Sequence, residues 1–161
     1  MMPETQDPHI SLDSLSKERL RLWLKLLKLT HGVEAELRRR LREDHDTTLP
    51  RFDVMAALAR HPAGLRMSEL SRYLKVSNGN VTGIVDRLTE EGLALRLAVP
   101  GDRRAQIARL TPEGLSAFNV LASAHEGWID DLLGALDEGD IQTMAALTDR
   151  ALLKGEADDP R

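Results

Sequence analysis

Between Val76 and Arg87 the chain reads VSNGNVTGIVDR, and its polar positions are of the types that read base pairs. The amide of Asn78 or Asn80 can donate to and accept from one adenine edge, and Thr82 can meet a base edge or a thymine methyl. Lys75 lies just ahead, where its ammonium group can contact a phosphate without reading sequence. Ser77 opens the stretch as a helix N-cap, and Arg87 closes it as a further DNA-facing candidate. A second group follows at Asp102, Arg103 and Arg104, two guanidinium groups beside a carboxylate. Exposed arginines on a protruding hairpin suit a narrow minor groove, where negative potential is strong. Asp102 is out of place there unless it pairs with a neighbouring arginine and fixes its direction. Taken alone, the first group is equally an amphipathic helix with a solvated face.

The elements that must position these groups are legible around them. Val81, Ile84, Val85 and Leu88 fall at i, i+3, i+4 and i+7, one apolar helical stripe. Gly79 and Gly83 sit on the polar side, where a missing side chain lets backbone approach a phosphate or base edge. Gly92 supplies a C-cap. Leu95, Leu97 and Val99 then alternate with Arg96 and Ala98 as a strand, Pro100-Gly101-Asp102 carries turn chemistry, and Ala105 to Leu110 returns. Ahead of the turn, Leu70, Tyr73 and Leu74 give a preceding short helix its buried face. Helix, turn, helix and basic hairpin in that order predict a winged helix-turn-helix.

Asp102-Arg103-Arg104 and Leu110-Thr111, following VTGIVDRLTEEGL (Val81 to Leu93), resemble the signature of the MarR family of bacterial transcriptional regulators. The resemblance runs from about residue 16 to residue 153. It implies a homodimer with Val76 to Glu91 as recognition helix and Leu95 to Leu110 as wing, the wing aspartate being Asp102 and its arginine Arg104. Many relatives carry a basic or larger polar side chain where this chain has Gly83, which moves contacts toward Asn78, Asn80 and Thr82. The run Val76 to Thr82 resembles the branch that controls breakdown of plant-derived aromatic acids. The absence of cysteine excludes the thiol-based oxidant sensing that some relatives use.

The rest of the chain reads as helices that would hold two such modules apart. Residues 1–46 comprise a polar tail to Leu15 and one long helix from Ser16, about 45 Å in reach, with Leu20, Trp23, Leu24 and Leu27 on one stripe and Leu37 and Leu41 extending it. Residues 47–111 form the DNA-binding lobe, beginning with a break at Asp46 to Pro50 and a helix from Arg51 to Arg60. In residues 112–161, Thr111-Pro112-Glu113 starts a helix to about Leu136, and a last helix spans about Asp140 to Leu153. The fold class expected is mainly α with a small β-hairpin wing and dimerising terminal helices.

Composition bounds the function. Hydrophobic residues make up 42% and aromatics 3%, so Leu, Val, Ala and Ile must fill the core. The net charge of −4 at first argues against nucleic acid, but it is unevenly spread: +1 over residues 1–65, +3 over 66–111 and −8 over 112–161. DNA responds to the local field, since distant charge is screened within about 8 Å, so the acidic third should lie away from it. No apolar run approaches a membrane span and no leader pattern is present, which predicts a cytoplasmic protein. No phosphate-binding loop, metal motif or nucleophile elbow accompanies the scattered His, Ser and Asp residues, so neither enzyme chemistry nor a cofactor is expected.

The function expected is a ligand-responsive repressor on a pseudo-palindromic operator, with half-sites roughly 10 bp apart, released by an aromatic acid or its CoA thioester. A winged-helix module that binds protein is the alternative. Trp23, His31, Arg40, Phe52 and Asp53 are the candidate effector contacts, in a cleft between the long helices and the lobe. For each of them core or surface duty is the plainer reading. The arginines from Arg38 to Arg42 could meet DNA, ligand or solvent.

Overall fold

The computed structural model describes residues 8–74 and 78–157, with side chains over 14–74 and 80–154. Lys75, Val76 and Ser77, and with them the expected N-cap, lie outside the described residues. Among those described there are six helices and one three-stranded sheet. The helices are α1 (Pro8–His45), α2 (Leu49–Arg60), α3 (Met67–Leu74), α4 (Asn78–Glu90), α5 (Pro112–Leu132) and α6 (Glu138–Ala157). The strands are β1 (Leu65–Arg66), β2 (Ala94–Val99) and β3 (Asp102–Leu110). The expected mainly helical winged fold is what forms.

Contacts divide the chain into two compact units, one running to Ala122 and the other starting at Ser123. The core of the first is built from the apolar stripes read above. Val81, Val85 and Leu88 of α4 are buried against Val54, Met55 and Leu58 of α2 and Leu70 of α3. Leu37 and Leu41 of α1 are buried in the same unit. Fully burying an aliphatic side chain stabilises by roughly 1.5–3 kcal/mol, so this cluster accounts for the lobe without many aromatics.

Several local features depart from expectation, among them a return strand that starts at Asp102 rather than Ala105 and an α5 that ends at Leu132 rather than Leu136. α1 begins at Pro8 rather than Ser16, and proline is compatible with a first helical position because its missing N–H has no helical partner there. α2 begins at Leu49, because Thr48 acts as N-cap: its Oγ1 accepts the Arg51 N–H at 3.3 Å, with Pro50 in the first turn. Tyr73 is half exposed rather than buried, and its hydroxyl accepts from Arg60 Nη1 at 2.9 Å.

The hairpin has a third strand. β1 pairs antiparallel with β3, Leu65 opposite Ala108, giving the order β1-β3-β2. A two-residue strand leaves almost no periodic signal. Gly64 makes the approach possible: at φ +99°, a Cβ there would sit 2.2 Å from Ile107 Cγ2. The wing is then sealed to α5, where Thr111 Oγ1 donates to the Gly92 carbonyl at 2.7 Å and accepts the Gly114 N–H at 3.0 Å. In the second unit, Asp137 and Asp140 cap the start of α6 reciprocally, at 2.9 and 3.1 Å.

Candidate DNA-binding interface

α4 has four distinct faces. Val81, Val85 and Leu88 point to the core, with no measurable exposure. Thr82 and Asp86, four residues apart, run along the edge beside the wing. Asn80 and Arg87 lie on the opposite edge, where they line grooves shared with the end of α1. Between the two edges the helix shows Gly83, around which a Cβ would meet nothing within 4 Å. A helix presenting backbone in this way can approach another polar surface closely. Asn78 opens α4, but its side chain is outside the described set.

The wing is fixed to α4 by a residue that the strand pattern did not single out. The Arg96 guanidinium, on β2, reaches across to Asp86 Oδ1 at 2.8 Å and to the Thr82 carbonyl at 3.3 Å. It also donates to Gln106 Oε1 on β3 at 3.1 Å. One cation therefore joins both wing strands to the helix. It also neutralises Asp86, a carboxylate that would otherwise repel phosphate from a DNA-reading face. Arg96 Nε is buried with no hydrogen-bond partner among the described residues. Alternation gave Arg96 a place in the strand, but only tertiary contact gives it this task.

At the wing tip, Gly101 adopts φ +83° and the register slips between Ala98 and Val99. Asp102 Oδ1 accepts the backbone N–H of Arg104 at 3.1 Å. The carboxylate thus shapes the tip through the backbone, which differs from the expected pairing with a guanidinium. Arg103 and Arg104 stand exposed.

The profile of the MarR family matches residues 45–105. A solved MarR family transcriptional regulator from Silicibacter pomeroyi is 36% identical, covers 88% of this chain and 96% of its own, and superposes with a TM-score of 0.69. The chain belongs to the MarR family. The HTH-type transcriptional regulator MhqR of Bacillus subtilis is 22% identical over 142 residues, 88% of this chain and 97% of its own. A MarR family transcriptional regulator of Streptomyces coelicolor, solved in complex with DNA, is 25% identical, covers 89% of this chain and 92% of its own, and has a TM-score of 0.75. Membership makes this chain a winged-helix transcriptional regulator.

The MarR family lobe also contains a cavity of about 740 Å³, next to the inner edge of α4. Arg42, Thr47, Arg51, Met55, Arg87 and Leu121 are among its walls. Arg51 is ion-paired with Glu91, and Thr47 Oγ1 is buried with no hydrogen-bond partner among the described residues. None of the five sequence-predicted effector residues lines this cavity. Trp23 and His31 are exposed on α1, and Asp53 is exposed on α2. Arg40 is half-buried and bonded to Glu36 at 2.8 Å. Phe52 is buried against Phe118, ring centroids 5.7 Å apart, as part of the packing between α2 and α5. Trp23 and His31 are expected effector contacts, but α1 contributes neither to this cavity.

Among the described residues no cluster of three His, Asp or Glu side chains could hold a metal ion, and no helix is long and apolar enough to cross a membrane.

Proposed function

We propose that this regulator acts as a homodimeric repressor on a pseudo-palindromic operator and leaves it when a small anionic ligand binds. The observation that carries the reading is the Arg96 bridge: it makes α4 and the wing one rigid surface able to enter a major groove and the minor groove beside it. In this reading Asn78, Asn80 and Thr82 read bases, Lys75, Ser77 and Arg87 meet the backbone, and Arg103 and Arg104 reach the minor groove with Asp102 shaping the tip. The DNA-bound relative from Streptomyces coelicolor supports this over a protein-binding module.

Dimerisation is supported by uncovered apolar side chains in each unit. Leu20, Trp23 and Leu24 of α1 are more than half exposed, and in α6 Ile141, Leu152 and Leu153 are too. Apolar stripes of this extent on a small protein mark an interaction surface. The domain assignment follows: residues 1–46 and 112–161 for association, 47–111 for DNA.

The effector is read as an aromatic acid or its CoA thioester. Support comes from the cavity beside α4, with mixed polar and apolar walls that include guanidinium groups, and from the run Val76 to Thr82. A ligand there would touch Arg87 on α4 and so could favour one placement of that helix over another.

The test is binding to the upstream intergenic DNA at several salt concentrations. Selective binding with two protomers per site and a steep salt dependence is expected, and aromatic acids should relieve it. Equal affinity for random duplex would overturn the operator reading.

A further inference from the structure

The arginine run at the end of α1 is divided by its contacts. Arg39 and Arg40 converge on Glu36, Arg39 at 2.6 Å and Arg40 at 2.8 Å, and Arg39 also pairs with Glu43. Their charge is spent within the helix. Arg38 and Arg42 are one turn apart, both are exposed, and neither side chain has an ion-pair partner among the described residues. Both line a groove of about 500 Å³ whose other walls are Thr48, Leu49 and Pro50, and Asn80 and Ile84 of α4. Two uncompensated guanidinium groups therefore flank the exposed N-terminal part of the helix read here as entering DNA.

We infer that Arg38 and Arg42 form a third backbone-clamping element, holding phosphates on the side of α4 opposite the wing. The inference rests on the proposed DNA-binding reading. Charge selects the occupant: a cationic groove beside a DNA-reading helix matches a phosphate strand, and guanidinium binds phosphate through paired parallel donors. With the wing arginines on the other edge, α4 would be bracketed by cations. Glu36 and Glu43 then act as sorting residues, cancelling Arg39 and Arg40 and leaving the two arginines that face the groove.

The experiment is the salt dependence of DNA binding by the full chain as wild type, Arg38→Gln, Arg42→Gln, the double variant and Arg39→Gln. Each phosphate contact contributes about 0.9 to the slope of log affinity against log salt. Arg38→Gln and Arg42→Gln should each lower the slope by about that amount and the double variant by about twice as much. Arg39→Gln should leave it unchanged. Base preference should be unaltered throughout, because phosphate contacts carry no sequence information. Thermal midpoints matching the wild type would establish that the exposed substitutions leave the fold intact. An unchanged slope in the double variant overturns the inference, and would assign these groups to solvent or to a small anion. The same series on random duplex separates the two readings: loss of operator preference in the wild type defeats the operator proposal, whereas the slopes on random DNA still decide the arginines.

Discussion

Arg96 of the wing and Asp86 of α4 meet at 2.8 Å, with the Asp86 side chain about half exposed and Arg96 largely covered. The pair is a polar tether on the outer edge of two elements whose apolar faces already meet through Ala94, Ala108 and the α4 stripe. Exposed ion pairs contribute little, about 0.2–1 kcal/mol, but Arg96 also donates to the Thr82 carbonyl and to Gln106. Arg96→Ala should therefore cost about 1–2 kcal/mol of stability. In a double-mutant cycle with Asp86→Ala, coupling of about 0.5–1 kcal/mol is expected. Strict additivity in urea unfolding would show that the tether is incidental. Operator affinity should fall by more than stability does, because the wing loses its fixed angle.

Arg104→Ala tests the wing tip. The salt slope should drop by about one, with base preference at the centre of each half-site retained. Asn80→Ala and Thr82→Ala should instead change which sequences are selected. Uniform weakening across a randomised site would count against their role in reading bases.

Gly83→Ala separates folding from binding. Alanine in a helix is favoured over glycine by about 1 kcal/mol, and open space surrounds the position, so the thermal midpoint should rise. DNA affinity should fall, because the added methyl stands on the face that approaches the duplex. A variant both more stable and equally tight would mean that the backbone there stays clear of DNA.

Thr47→Val tests the packing beneath the cavity. Its hydroxyl is buried without a partner among the described residues, so removal should raise stability by about 1 kcal/mol in urea unfolding. DNA binding should be unaffected. A variant no more stable than the wild type would mean that the hydroxyl is satisfied in the folded protein.

Glu36 gives a pH dependence. Its hydrogen bond with Arg39, then that with Arg40, lowers its pKa from 4.5 to about 2. A lowered folded value means that its stabilising contribution is present above pH 4.5 and lost as pH falls through about 2. Glu36→Gln should be less stable than the wild type at neutral pH, with the difference vanishing below pH 2. An NMR titration placing the carboxyl near 4.5 would contradict the network.

The sequence by itself determined the lobe, because its signals are local. The stripe of Val81, Val85 and Leu88, the cap at Gly92 and the turn at Gly101 each depend on residues a few positions away. A helical period and a glycine at positive φ are properties of short segments, so reading them needs no knowledge of the partners. The tertiary structure decided what distant residues do to one another. Alternation placed Arg96 in a strand, but its contacts with Asp86 and Gln106 come from packing the hairpin on α4. Strand β1 is two residues long and exists only because β3 offers it an edge. Four arginines between Arg38 and Arg42 look alike in sequence, and only the positions of Glu36, Glu43 and Asn80 distinguish them. None of the five effector candidates lines the cavity beside α4, because a cavity is a gap between elements and its lining is set by how helices cross rather than by the period along any one of them.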